Sequence, residues 1–203
     1  MKERRRSPPP EPLSTEFGQG TDAETSPSHD LIRDPRTGLY TMRALYEFIR
    51  YEIDGGAQTE RNERFVTPVC VVAIGVDALR SMSSEPAREE LIESIAKAIA
   101  RITRRADRLA REGNDLVALL RRTLSRRARD FYAPHLTGAV VEVSREVGPP
   151  TTLSFGISSL TEHLVRDPSD MIRKAFTALE EAKRRGPGSV VVYDLREMVE
   201  PEK

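Results

Sequence analysis

Apolar positions occur along this chain in blocks whose period switches repeatedly between that of a helix and that of a strand. The segment Asp34 to Leu39, reading DPRTGL, predicts a turn, with Pro35 fixing one backbone angle and Gly38 free to adopt a positive one. Thr41 is placed to cap a helix whose Leu45, Phe48, Ile49 and Ile53 recur at helical spacing, and Gly55-Gly56 are expected to end it. Residues 57–67 then read as a polar loop. Val69 to Val76 is a nearly unbroken apolar run of strand length, as expected of a central strand covered on both faces. Pro86 and the acidic Glu89-Glu90 open a second helix, with Leu91, Ile95, Ala98, Ile99 and Ile102 along one face and arginines at its end near Asp107.

Leu109 and the Val117/Leu119 pair flank Gly113-Asn114, a dipeptide that favours a primed turn, so a two-stranded hairpin is expected. Residues 124–147 suggest a less regular helical region interrupted by Pro134 and closed by Gly148-Pro149-Pro150. Thr152 to Ser158 reads as a strand. Asp167-Pro168 starts a helix with Met171, Ala175, Leu179 and Ala182 on one face, Gly186-Pro187-Gly188 stops it, and Val190 to Tyr193 forms the last strand. The order helix, strand, helix, hairpin, helix, strand, helix, strand predicts an α/β layered domain around a mostly antiparallel sheet.

Composition narrows the function classes. The 203 residues suit one domain, and 32 basic against 32 acidic side chains leave no net field of the kind that attracts nucleic acid. No apolar run is long enough to insert in a membrane, and the MKERRR start lacks a hydrophobic segment behind it, so the chain reads as soluble and cytoplasmic. Residues 1–30 hold most of the Pro, Ser, Thr and Gly clustering and few large apolar groups, and are expected to be a disordered tail. Residues 31–197 form the domain and 198–203 a second tail. Cys70 lies within an apolar run and reads as a buried reduced thiol, while His29, His135 and His163 lack companions at metal-ligand spacing.

Four segments in order resemble the GGDEF domain of diguanylate cyclases. DPRTGLYTMRALYEFI is similar to the family's entry motif DxLTGLxNRxxF, and LAREGNDLVALL falls where the family has RYGGDEFxxLL. TLSFGIS and AFTALEEAKRRGPGSVVVYD are similar to its later strand and final helix-strand segment. The resemblance implies a palm-like fold shared with adenylyl cyclases, the hairpin carrying the signature. It also implies a two-Mg²⁺ site for phosphoryl transfer, and here the sequence departs from the pattern. The first metal-binding Asp corresponds to Gly75, and the signature positions are Gly113, Asn114, Asp115, Leu116 and Val117, so Leu116 replaces the signature Glu. The guanine-recognition segment is replaced by SMSSEPAREE. Lys183 matches a phosphate-contacting Lys, but Pro187 stands where an Arg is expected. A catalytically inactive domain that needs no Mg²⁺ is therefore expected.

A second site of the family survives this comparison. Its inhibitory pattern RxxD, which holds cyclic di-GMP, corresponds to Arg104 and Asp107, with Arg126, Arg127 or Arg129 as candidates to complete it. A guanidinium fork can meet guanine O6 and N7, and a carboxylate can accept from guanine N1 and N2. The expected function is that of a cyclic di-GMP receptor acting on a protein partner. Alternatives are a nucleotide-independent interaction or homodimerisation module, and a weak cyclase using Asp77 and Asp115 as rearranged metal ligands. A plain helix end with arginines facing its dipole also accounts for Arg104 and Asp107.

Overall fold

The structure, a computed structural model, describes residues 32–59, 67–147 and 149–194. The tails expected at 1–30 and 198–203, and the expected end of the domain at 197, lie outside the described residues.

Six strands form one sheet: β1 (Tyr40–Thr41), β2 (Val69–Val76), β3 (Arg108–Glu112), β4 (Asp115–Arg121), β5 (Leu153–Ser159) and β6 (Val190–Val192). Their spatial order is β1-β3-β4-β2-β5-β6. The inner pairings β3/β4, β4/β2 and β2/β5 are antiparallel, whereas the outer pairings β1/β3 and β5/β6 are parallel. The sheet is therefore mixed, antiparallel in its middle and parallel at each edge. The short strand β1 was invisible to periodicity because two residues carry no alternation.

All eight residues of β2 are buried, which explains the unbroken apolar run: each face of the strand meets a helical layer. Cys70, Val72 and Ile74 point into one core with Leu91, Ile92, Ile95 and Ile99 of α2 (Glu85–Ile102) and Leu136 and Val140 of α3 (Ala133–Val147). Val71 and Ala73 point the other way, against Leu45 and Ile49 of α1 (Met42–Thr59) and Met171, Ala175 and Leu179 of α4 (Pro168–Arg185). The alternation along one strand thus divides the core between two layers.

Helix limits follow local chemistry. Ser84 caps α2 by accepting from Ala87 N, and Asp167 caps α4 by accepting from Asp170 N. Gly186, at φ 121°, ends α4 in a conformation that a side chain disfavours. Contrary to expectation, α1 runs through Gly55-Gly56 to Thr59. Glycine costs a helix only about 1 kcal/mol and does not forbid it. Pro134 does not interrupt a helix either; it is the second residue of α3, preceded by a π turn over Ala128–Tyr132. Proline cannot donate to the preceding turn and crowds it, and Ala133 N bonds back to the Ala128 carbonyl instead. Among the described residues no helix is long and apolar enough to cross a membrane.

Gly156 of β5 is required for the approach of α4. A Cβ there would overlap the backbone of Ala175 and Leu179, atoms that cannot rotate away. Gly156→Ala is expected to lower stability by about 3 kcal/mol or more, because the helix must back away from the sheet. Urea unfolding of the two proteins measures this; equal midpoints would contradict the packing described.

Candidate functional site

The hairpin forms as the sequence suggests. Glu112 pairs with Asp115, and the positive φ of 56° falls on Gly113, the first turn residue, as in a type II′ turn. Arg111 braces the turn, donating from Nε to the Gly113 carbonyl at 2.8 Å and from Nη2 to Glu89 at 2.6 Å. Asp34, whose carboxylate accepts from Thr37 N and Oγ1 at 2.8 and 2.6 Å, lies 3.6 Å from the same guanidinium. The entry turn, α2 and the hairpin are thereby tied together. Sequence reasoning took Asp34 only as a turn residue; the spaced acid Glu89 and base Arg111 were the available signal.

Asp115 stands opposite Gly75 in the β2/β4 register. Nζ of Lys183, from α4, lies 3.2 Å from its Oδ2 and 3.3 Å from its Oδ1, and bonds Glu180 at 3.0 Å. A Cβ on Gly75 would come within 2.8 Å of Lys183 Cε and 3.4 Å of Asp115 Oδ1, so the lysine stem fills the space left by the missing side chain. Burial pushes the Asp115 carboxyl above its ordinary value, and Lys183 draws it only partly back. Leu116 points to the opposite face, fully buried in the α2/α3 core.

Asp77 and Asp115, the residues considered as rearranged metal ligands, are each engaged by donors of the chain itself. Asp77 accepts from Ser154 Oγ at 2.6 Å, Thr152 Oγ1 at 2.6 Å and Gly188 N at 2.9 Å, which makes it a clamp between the ends of β2, β5 and the α4–β6 loop. Among the described residues no three His, Cys, Asp or Glu side chains gather in a way that could hold a metal ion.

At the other end of the β2/β4 pair, Arg104 and Asp107 open on a cavity of about 330 Å³. Asp107 follows a tight turn in which its N–H donates to the Arg104 carbonyl at 3.0 Å. Its Oδ1 accepts from Arg121 N at 3.0 Å, leaving Oδ2 with no bond among the described residues. Arg104 is exposed, whereas Asp107 is buried to 8% exposure. Burial raises the Asp107 carboxyl above its ordinary value, outweighing the Arg121 N–H and the charges of Arg104, Arg108 and Arg121.

The three arginine candidates separate here. Arg127 lines this cavity; Arg126 lines a neighbouring groove; Arg129 bonds Asp130 at 2.7 Å and faces elsewhere. Phe131, Tyr132 and His135 also line it and were missed. The four-residue spacing of Arg127, Phe131 and His135 was the signal for a shared face. His163 instead has a structural role, its Nδ1 accepting from Ser159 N at 2.9 Å while its ring meets Tyr193 edge-on. His29 lies outside the described residues. Cys70 is buried, donates to the Thr123 carbonyl at 3.0 Å, and has its thiol pushed up to about 12 by burial.

A mixed sheet with a turn-and-carboxylate signature hairpin defines a cyclase-type α/β domain. The family model for the diguanylate cyclase GGDEF domain matches residues 31–189, and the chain belongs to that family. It is 25% identical over 174 residues to the probable diguanylate cyclase DgcT of Escherichia coli, covering 80% of this chain but 36% of DgcT, so it spans about a third of that relative. The fold is similar to that of the GGDEF domain of YfiN (TpbB) from Pseudomonas aeruginosa, with a TM-score of 0.66 and 20% identity, covering 83% of this chain and 99% of that one. It is also similar to the GGDEF domain of DgcB from Caulobacter crescentus in complex with c-di-GMP, with a TM-score of 0.62 and 20% identity over 79% and 95% of the two chains. A third similar structure is the diguanylate cyclase SiaD of Pseudomonas aeruginosa in complex with its activator SiaC, with a TM-score of 0.61, 24% identity and coverage of 79% and 61%.

The raised Asp107 carboxyl has a measurable consequence. Its contribution to stability is complete below the unfolded value, near 3.9, and is lost as pH rises through the higher folded value. Asp107→Asn keeps an acceptor for Arg121 N without the buried charge. The variant is expected to be as stable as the parent or up to about 1 kcal/mol more stable at pH 7, with that advantage shrinking towards pH 4. Urea unfolding across this range reads the difference; a variant that loses stability most at pH 7 would contradict it.

Proposed function

We propose that this chain is a catalytically inactive GGDEF domain that binds cyclic di-GMP in the Arg104/Asp107 cavity and passes the binding event to a protein partner. The observation that carries the reading is the contrast between a half-buried carboxylate, Asp115, and a buried one, Asp107. Asp115, at the signature hairpin, is paired with an ammonium of the same chain. Asp107 lines a cavity with two arginines, and one of its oxygens has no bond among the described residues.

The signature end does not fit a pair of divalent cations. Gly75 supplies no side-chain oxygen, Lys183 puts a positive charge against the remaining acid, and Leu116 is apolar and turned to the other face. A hard cation requires several oxygen ligands, so metal-assisted attack on a nucleoside triphosphate has no support here.

The other cavity suits guanine. Asp107 Oδ2 can accept from the donors on the guanine Watson–Crick edge, and Arg104 or Arg127 can meet O6 and N7 or a phosphate. Phe131 offers an apolar wall for a base. That a related GGDEF domain, DgcB, was captured with c-di-GMP supports this choice of ligand, and SiaD with SiaC supports action through a protein.

Calorimetry of the full chain with cyclic di-GMP tests the receptor reading. Saturable binding is expected, weakened about thirtyfold or more in Asp107→Ala, as removal of a charged hydrogen-bond partner implies. Absence of binding, or equal affinity in the variant, would overturn it. GTP incubated with the protein and Mg²⁺ or Mn²⁺ is expected to give no cyclic di-GMP; steady product formation would refute inactivity.

A further inference from the structure

The cavity just described shares Arg127 and Phe131 with a second groove of about 500 Å³, walled by Arg122, Arg126 and Arg127 around Pro68, Leu124 and Phe131. We propose that this second groove docks an acidic protein segment carrying an aromatic anchor, and that its shared wall couples docking to the first cavity.

Charge points to an acidic occupant. Arg122, Arg126 and Arg127 are exposed and make no ion pair among the described residues. Asp130, the acid lining the groove, is already engaged by Arg129 at 2.7 Å. The groove therefore offers guanidinium forks whose natural partners are carboxylates. Arg111 and Arg121, by contrast, are matched by Glu89 and Glu52.

Apolar surface points to an anchor. Phe131 is 70% exposed, among the few large apolar side chains left in solvent, and Arg127 sits 5.9 Å from its ring centroid. Pro68 and Leu124 extend this floor. The backbone holds the surface in shape: Arg122 adopts φ 51°, an uncommon value for a residue with a side chain, and the π turn over Ala128–Tyr132 carries Phe131. An aromatic side chain seated on Phe131 with flanking carboxylates on Arg122 and Arg126 satisfies both features, in the manner of a buried anchor with a polar rim. A nucleic acid would meet the same arginines, but the chain as a whole has no net positive charge to hold a polyanion.

Arg127 cannot pair with an anion in both cavities at once. A dinucleotide that draws Arg127 into the first cavity removes it from the second, so dinucleotide and peptide weaken one another reciprocally. This coupling, unlike the docking, rests on the reading of the first cavity as a cyclic di-GMP site.

The test is fluorescence anisotropy of a labelled synthetic peptide, a run of Asp and Glu around one Phe, titrated with the full chain. Saturable binding is expected, weakened about tenfold or more by the double change Arg122→Glu and Arg126→Glu, by Phe131→Ser, and by replacing the peptide's Phe with Ala. Arg43→Glu, on the exposed side of α1, should leave it unchanged. Equal weakening by Arg43→Glu, equal binding of the Phe-less peptide, or tighter binding of a single-stranded oligonucleotide of the same charge would overturn the docking. Saturating cyclic di-GMP is expected to weaken the peptide about fivefold or more; unchanged peptide affinity with the dinucleotide bound would overturn the coupling. Peptide binding that persists while the dinucleotide fails to bind at all would refute the receptor reading and leave the docking in place.

Discussion

Burial of β2 on both faces is the constraint on which the rest of the domain depends. Eight consecutive buried residues require a helical layer on each side and a partner strand at each edge, and those four neighbours account for most of the fold. The antiparallel pairing with β4 then sets the distance between the two chemically distinctive regions. Gly75 opposite Asp115 marks one end of the pair and Val69 opposite Arg121 the other, about 20 Å apart at ordinary strand rise. The signature hairpin and the Arg104/Asp107 cavity are therefore separate sites on one rigid element.

Burial acts on a carboxylate at each end, and the two ends answer it differently. Asp115 and Asp107 are both pushed above the ordinary Asp value by desolvation. Around Asp115 the chain supplies its own counter-ion, with Lys183 braced by Glu180 and its stem lying over Gly75. Around Asp107 the nearest cations are side chains that also reach solvent, and one carboxylate oxygen is left without a bond among the described residues. A closed pair gives cohesion between α4 and the hairpin. An open acid flanked by arginines gives a surface able to recognise a polar ligand.

Much of the fold was legible in the sequence because its signals are local and strong. The unbroken run of β2, the Gly113-Asn114 turn and the Asp167-Pro168 helix start each carry one dominant physical cause, and each formed where expected. The failures share a cause too. Gly55-Gly56 and Pro134 are weak or context-dependent punctuation, overridden by helix continuation in one case and absorbed by a π turn in the other. Asp107 and Arg104 could be nominated from spacing, but which of Arg126, Arg127 and Arg129 lines the same cavity depended on the path of the backbone. The four-residue spacing of Arg127, Phe131 and His135 marks a shared face, but only the fold shows that this face meets the cavity beside Asp107. The Arg111–Glu89–Asp34 network joins three segments far apart in sequence, so its charges could be read from the chain but their pairing could not.

The central claim is that the recognition chemistry of this domain resides at Arg104 and Asp107 and not at the signature hairpin. Backbone NMR of ¹⁵N-labelled protein titrated with cyclic di-GMP tests it most directly. Progressive shifts are predicted for Arg104 to Arg108, Arg121, Thr123, Arg127 and Tyr132, with Gly75, Asp115 and Lys183 unmoved. No shifts at any of these residues, or shifts centred on Asp115 and Lys183, would contradict the account.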